Sequence, residues 1–218
     1  MSKTVFLKIS SVVLFTALAH SCTSKKEAAL PYYNTPDFTP HFITGQDAAK
    51  AITHTIGQFS FTNQLGKTIS DATIEGHIHV ANFIFTRCGS ICPVMTQHME
   101  LVDSAFKNNP AVQLVSFSVT PWLDSVPVLK KYATDHNINA ANWQLLTGNK
   151  GEIYKLARQS YFAEEDLGFT KDSTEFLHTE HILLVDKTKR IRGIYNGTLQ
   201  LEIEQLIADI KTLLKEEE

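Results

Sequence analysis

The pair Cys88 and Cys92 constrains this chain more than any other feature. It is set in Cys88-Gly89-Ser90-Ile91-Cys92-Pro93, directly after the apolar run Val80-Ala81-Asn82-Phe83-Ile84-Phe85. An apolar run that ends in two cysteines and passes into a proline-led helix reads as a strand–loop–helix unit with both sulfurs at a helix N-terminus. The exposed N–H groups there favour thiolate over thiol. Positions i and i+4 share a helical face, so both sulfurs are expected to point at one object. That object is either the other sulfur, in a disulfide, or a soft metal ion held between them.

The rest of the chain narrows the setting. Its 218 residues are 43% hydrophobic and 20% charged, which supplies one ordinary globular core. Residues 1–21 stand apart: Lys3 and Lys8 precede the apolar stretch Ile9 to Ala19, which stops at Ala19-His20-Ser21-Cys22. A basic start, a short apolar stretch and small residues before the boundary read as an export signal, too short to span a bilayer. A cysteine directly after the small residues resembles the cleavage box of a bacterial lipoprotein. Cys22 is then the lipid anchor, and the folded part lies in the periplasm or another extracytoplasmic space. Residues 1–21 hold two lysines and no acid, so the chain from Cys22 onward has 18 basic and 23 acidic residues, a net charge of −5. An acidic balance argues against nucleic acid as a partner. With Cys22 used as an anchor, Cys88 and Cys92 are the only cysteines left. A bridge closing so short a loop staples little, so the pair is expected to be chemical rather than structural.

Residues 22–46 are polar and punctuated by Pro31, Pro36 and Pro40, and read as a tether. A single domain is expected over 47–218. Within it, Phe59 to Ile69 reads as a hairpin around Asn63 to Lys67, and His77 to Phe85 as a buried strand. A helix comes next from Cys92 to Phe106, then a strand Val112–Val119. Ser125 and Pro127 mark the start of a helix that runs to His136. Trp143 to Leu146 is a short strand, and Asn149 with Glu152 caps a helix to Tyr161. Strands at Ile182–Val185 and Ile191–Tyr195 share the polar turn Asp186 to Arg190. A final amphipathic helix starts near Leu199. Parallel strand–helix–strand crossovers with a subsequent antiparallel hairpin and a closing helix give an α/β chain of thioredoxin-like plan. An extra N-terminal hairpin and a helical insertion decorate it.

Two thiolates form a soft pair suited to Cu(I), and such a site wants a third ligand. Of the nine histidines, His20 leaves with the signal and His41 and His54 precede the core. His77 and His79 lie at the far end of the cysteine-bearing strand, where rim or partner-facing positions are expected. His98 falls on another helical face from the thiols, and His136 ends a helix, where a cation suits the dipole. His178 and His181 differ, because they stand at the entrance to the strand beside the cysteine-bearing one. Thiol oxidoreductases of this fold usually have proline there. The odd separation of the two histidines sends their side chains to opposite faces of an extended segment, and spacing does not say which faces the thiols.

Phe83-Ile84-Phe85-Thr86-Arg87-Cys88-Gly89-Ser90-Ile91-Cys92-Pro93 resembles the core motif of the SCO/SenC family. These are membrane-tethered, thioredoxin-like copper proteins linked to assembly of the dinuclear copper centre of cytochrome c oxidase. His178-Thr179-Glu180-His181-Ile182-Leu183-Leu184-Val185-Asp186 resembles the second family signature, with His178 in the ligand position. Val119 to Tyr132 is also similar, with Asp124 at the usual acidic position and Thr120 where the family commonly has aspartate. The resemblance spans residues 50–212. It implies a three-ligand site of Cys88, Cys92 and His178 that takes one copper per chain, as Cu(I) or Cu(II). Asp124 is then a nearby carboxylate that supports the metal ligands from behind or docks a partner, with a helix cap near Ser125 as the alternative reading. The implied role is a copper metallochaperone, a carrier without turnover, whose partner is the copper-site subunit of cytochrome c oxidase. The alternative is a thiol–disulfide reductase that acts on the copper-ligand cysteines of a partner.

Overall fold

Two adjacent strands in which nearly every residue is buried organise the molecule, because each must be covered on both faces. The computed structural model describes residues 29–44, 46–139, 141–163 and 179–216. In chain order the elements are β1 (Tyr32–Tyr33), β2 (Pro40–His41), α1 (Gln46–Ala51), β3 (Ser60–Asn63) and β4 (Thr68–Ser70). Next come β5 (Ile78–Ile84), α2 (Ile91–Phe106), β6 (Val112–Ser118), α3 (Val126–Asp135) and β7 (Trp143–Thr147). The chain closes with α4 (Lys150–Gln159), β8 (His181–Val185), β9 (Ile191–Asn196) and α5 (Gln200–Glu216). The sheet order is β2-β1-β9-β8-β5-β6-β7-β3-β4.

Alternation along the central strands sorts side chains between two cores. Ile78, Val80 and Ile84 of β5, Leu114 of β6 and Ile182 and Leu184 of β8 meet Met95 and Met99 of α2, Leu129 of α3 and Leu206 of α5. On the other face Ala81, Phe83, Phe117, Leu183 and Val185 meet Phe59 and Phe61 from the β3 strand region and Ile153 and Tyr154 of α4. Each such fully buried aliphatic or aromatic side chain contributes about 1.5–3 kcal/mol. The parallel β5–β6 and β6–β7 pairs place the C-terminal ends of these strands together at one pole of the sheet. This is the thioredoxin-like arrangement, with the β3–β4 hairpin added beyond β7. The expected cap of α4 is present: Asn149 Oδ1 accepts from the Glu152 N–H at 3.1 Å.

Two elements differ from expectation. The distal part of the segment read as a tether is folded onto the domain, with β1 pairing β9 and β2 pairing β1. Arg192, 4% exposed, explains why. Its Nε donates to the Pro31 carbonyl at 3.1 Å, and its Nη2 donates to the Leu30 carbonyl at 2.8 Å and to Glu216 Oε2 at 2.7 Å. The guanidinium also lies 4.0 Å from the centre of the Tyr32 ring. The second difference is His79, which is not on a rim. It is fully buried within β5, its Nε2 is 3.1 Å from the Tyr161 hydroxyl, and its Nδ1 has no hydrogen-bond partner.

Candidate metal centre

The cysteine unit is built from three short pieces of backbone. After β5 the chain turns at Thr86-Arg87, closed by the Cys88 N–H donating to the Phe85 carbonyl at 3.1 Å. It bends at Gly89-Ser90 and enters α2 at Ile91. Cys88 therefore precedes the helix, and the two sulfurs do not meet by an i, i+4 helical relation. They meet because the turn folds Cys88 back over the first turn of α2. The Ser90 side chain makes no cap hydrogen bond, which leaves the first N–H groups of the helix free for another acceptor. That acceptor is the Cys88 sulfur, which takes hydrogen bonds from the backbone N–H groups of Cys92, Ser90 and Ile91.

The two thiols, both free, are unequal. Cys88 is half-buried and Cys92 is 8% exposed. Partial burial pushes the Cys88 thiol up, but the N–H groups of Cys92, Ser90 and Ile91 and the Cys92 side chain outweigh it, so it lies below the ordinary thiol range. Burial pushes Cys92 up to about 11; a hydrogen bond from the Phe85 N–H opposes this, while Cys88 and the charge of Asp124 add to it. Cys88 is thus the more acidic of the two sulfurs, and Cys92 the one that holds its proton longer.

Asp124 reaches the same pole from the loop after β6. It is fully buried and accepts from Ser118 Oγ at 2.6 Å, Thr120 Oγ1 at 2.9 Å and Thr86 Oγ1 at 2.5 Å. Its carboxylate thus ties the β6 end to the turn that carries Cys88, while Ser125 begins α3 without a side-chain cap hydrogen bond. Thr120, where the resemblance led to aspartate being expected, is one of its donors. The hydroxyls of Thr86 and Ser118 were not singled out from sequence, and Thr120 stood out only as a departure from the family pattern. The available signal was a polar residue at the end of each of two adjacent parallel strands. Tyr132 of α3 was also missed. Its hydroxyl is 2.6 Å from Thr96 Oγ1; burial pushes it up to about 12, the Thr96 hydrogen bond opposes this, and the charges of Cys92, Glu100 and Asp124 add to it.

The histidines divide clearly. His181 opens β8 and alternates with Leu183 and Val185, so it lies on the face opposite α2. There it packs edge-on against Phe38, with ring centres 5.5 Å apart. His98 Nδ1 bonds to the Gly197 carbonyl at 2.7 Å, and His136 Nδ1 to Glu100 Oε1 at 2.9 Å. His54 stacks on Phe162. His178 lies outside the described residues, as do Cys22 and the export signal. The strand that His178 precedes runs antiparallel to β5, with Ala81 opposite Leu183, so β8 begins at the pole where β5 ends. Among the described residues no group of three or more His, Cys, Asp or Glu side chains is arranged to hold a metal ion. Nor is any helix among them long and apolar enough to cross a membrane.

Residues 47–215 match the SCO1/SenC family. A SCO1/SenC family lipoprotein from Bacillus anthracis superposes with a TM-score of 0.64 at 32% identity, covering 75% of this chain and 96% of its own. BsSco, described as a Sco family cytochrome c oxidase assembly protein with a disulfide switch, gives 0.62 at 32% identity, covering 73% and 93%. Bradyrhizobium japonicum ScoI, solved with copper bound, gives 0.57 at 25% identity, covering 73% and 99%. The extent of the family match and the fold agree, and the chain belongs to the SCO1/SenC family.

Proposed function

We propose that the protein is a copper metallochaperone that binds one copper per chain through Cys88, Cys92 and His178 and passes it to the dinuclear copper site of cytochrome c oxidase. The observation that carries this reading is the pair of adjacent sulfurs at the start of α2, Cys88 partly exposed and Cys92 buried, of unequal acidity. Two thiolates and an imidazole match the softness of Cu(I), and copper is cargo here. Loading releases the proton that Cys92 retains. His178 is favoured over His181 because His181 is packed against Phe38 on the other face of the sheet, and an odd separation would turn the two side chains to opposite faces if the segment is extended. Asp124 serves as an outer group that fixes the turn bearing Cys88. Cys22 carries the lipid that holds the domain at the outer surface of a bacterial membrane. Copper bound to a Sco structure and a lipoprotein relative support these assignments.

A second reading is favoured by the same asymmetry. The Cys88 thiolate can attack a partner disulfide, giving a mixed disulfide and releasing one partner thiolate. Cys92, losing its proton, then attacks Cys88 Sγ, which frees the second partner thiol and leaves Cys88–Cys92 oxidised. The partner gains two electrons and this chain loses two.

The variant His178→Ala separates the readings. Copper affinity should fall by more than the roughly 10–100-fold that an outer-sphere partner contributes, while Cys88–Cys92 disulfide formation stays intact. Unchanged copper affinity in that variant would refute the three-ligand site.

A further inference from the structure

The N-terminal arm and the thiols occupy opposite poles. Tyr33 pairs with Ile191, Ile191 with Val185 and Val185 with His79, so the arm joins the sheet in the row where β5 begins. Arg192 and Glu216 fix the arm there, with the Leu30 N–H donating to Glu216 Oε1 at 2.9 Å at the end of α5. Cys88 lies beyond the other end of β5. At the same end of the sheet stand exposed apolar side chains from three separate segments. Val94 is in the first turn of α2, Trp122 in the β6–α3 loop, and Leu199 and Leu201 flank the start of α5, with Trp122 56% and Leu201 79% exposed. These four belong to the seven large apolar side chains that the described residues leave exposed. The His98 bond to Gly197 holds the α5 side of this rim to α2.

The length of chain between Cys22 and the arm decides what the rim meets. From Cys22 to Leu30 is eight residue steps, at most about 29 Å of extended chain. A domain of this size has a radius of gyration near 16 Å, hence a diameter of about 40 Å. A lipid at Cys22 is therefore too close to the arm pole to let the thiol pole turn down onto the bilayer. We infer that the rim of Val94, Trp122, Leu199 and Leu201 is a docking surface for an extramembrane protein domain, which approaches from the side facing away from the membrane. This rests on the reading of Cys22 as the anchor and of Cys88 and Cys92 as the transfer site. An apolar rim around a soft-metal site lets a partner exclude water while its own ligands reach the sulfurs.

Two measurements test it. The chain from Cys22 onward, carrying Cys88→Ser and Cys92→Ser, is coupled through Cys22 to a maleimide lipid in vesicles that contain a dansyl headgroup lipid. This fixes the anchor point whether or not the cell lipidates it, and sedimentation of the unaltered chain with membranes tests the anchor reading separately. Energy transfer from Trp122 should be several-fold weaker than from a Phe42→Trp reporter in a Trp122→Phe background, because Phe42 is exposed beside β2 at the arm pole. Equal or stronger transfer from Trp122 overturns the orientation. In the second measurement, Trp122→Ala and Leu201→Ser should each weaken binding of the copper-loaded chain to the soluble copper-site domain of a cytochrome c oxidase subunit about tenfold or more. The copper affinity of the chain itself should not change. Binding that is unaltered in both variants overturns the docking surface and leaves the copper site standing.

Discussion

Alkylation of the reduced, metal-free protein should label Cys88 well before Cys92, and the margin can be worked from the structure. Cys92 is pushed up to about 11, while Cys88 lies below the ordinary 9.0. At pH 8 the first is about 0.1% thiolate and the second at least about 9%, an advantage of about 90-fold for Cys88. A less basic sulfur is also a weaker nucleophile, with a slope of about 0.4–0.5, which returns about eightfold across two units. With Cys88 just below its ordinary value the net preference is about tenfold, and the burial of Cys92 widens it. At pH 10 the ionisation advantage shrinks to about tenfold, so the preference should narrow toward what burial alone supplies. Iodoacetamide time courses at several pH values, read by peptide mass spectrometry, give both rates directly. Equal rates at pH 8, Cys92 reacting first, or a ratio independent of pH would refute the assignment of Cys92 as the sulfur that holds its proton longer.

Two other outcomes come from the core. His79 is held neutral by burial, reinforced by smaller effects from the Lys189 and His77 charges, and its folded value falls from the ordinary 6.5 to about 3. Between those values the unfolded chain binds the extra proton, so stability is full above 6.5 and is lost as pH falls toward 3. Denaturant melts at pH 7 and 5.5 should show the wild type losing about 1.2 kcal/mol more than His79→Gln; equal losses would contradict a neutral buried His79. In β9 a Cβ added at Gly193 would run into the ring and hydroxyl of Tyr195, whose hydroxyl donates to Asp209 Oδ2 at 2.7 Å. Gly193→Ala should therefore cost about 1–3 kcal/mol by overpacking, and a thermal melt that matches the wild type would show that Tyr195 yields freely.

Most of the fold was readable because its signals are local. The apolar runs of β5, β6 and β8, the Asn149 cap and the amphipathic repeat of α5 each declare themselves within a dozen residues. What could not be read depends on contacts far apart in sequence. β1 and β2 are two residues each, too short for any periodicity, and they exist because Arg192 binds carbonyls of residues more than 160 positions away. His79 looked like a rim residue because it shares a face with His77 at the end of the strand far from the cysteines. With both faces of β5 covered, however, alternation carries no inside–outside information, and His77 lies outside the strand. At the site the cysteine pair was legible, but its geometry was not. The spacing suggested two sulfurs on one helical face, whereas a bend at Gly89-Ser90 brings Cys88 to the helix from outside. Nor did it reveal that Thr86, Ser118 and Thr120 hold Asp124, since those hydroxyls come from two strand ends that only the parallel β5–β6 register brings together.

The central claim is that the two thiols are the copper-binding core of a carrier. Anaerobic Cu(II) titration of the reduced protein, monitored by absorption, tests it most directly. A carrier of this kind should show a thiolate-to-Cu(II) charge-transfer band that saturates at one copper per chain and disappears after alkylation of Cys88. Copper uptake without that band, or uptake indifferent to Cys88 alkylation, would contradict it.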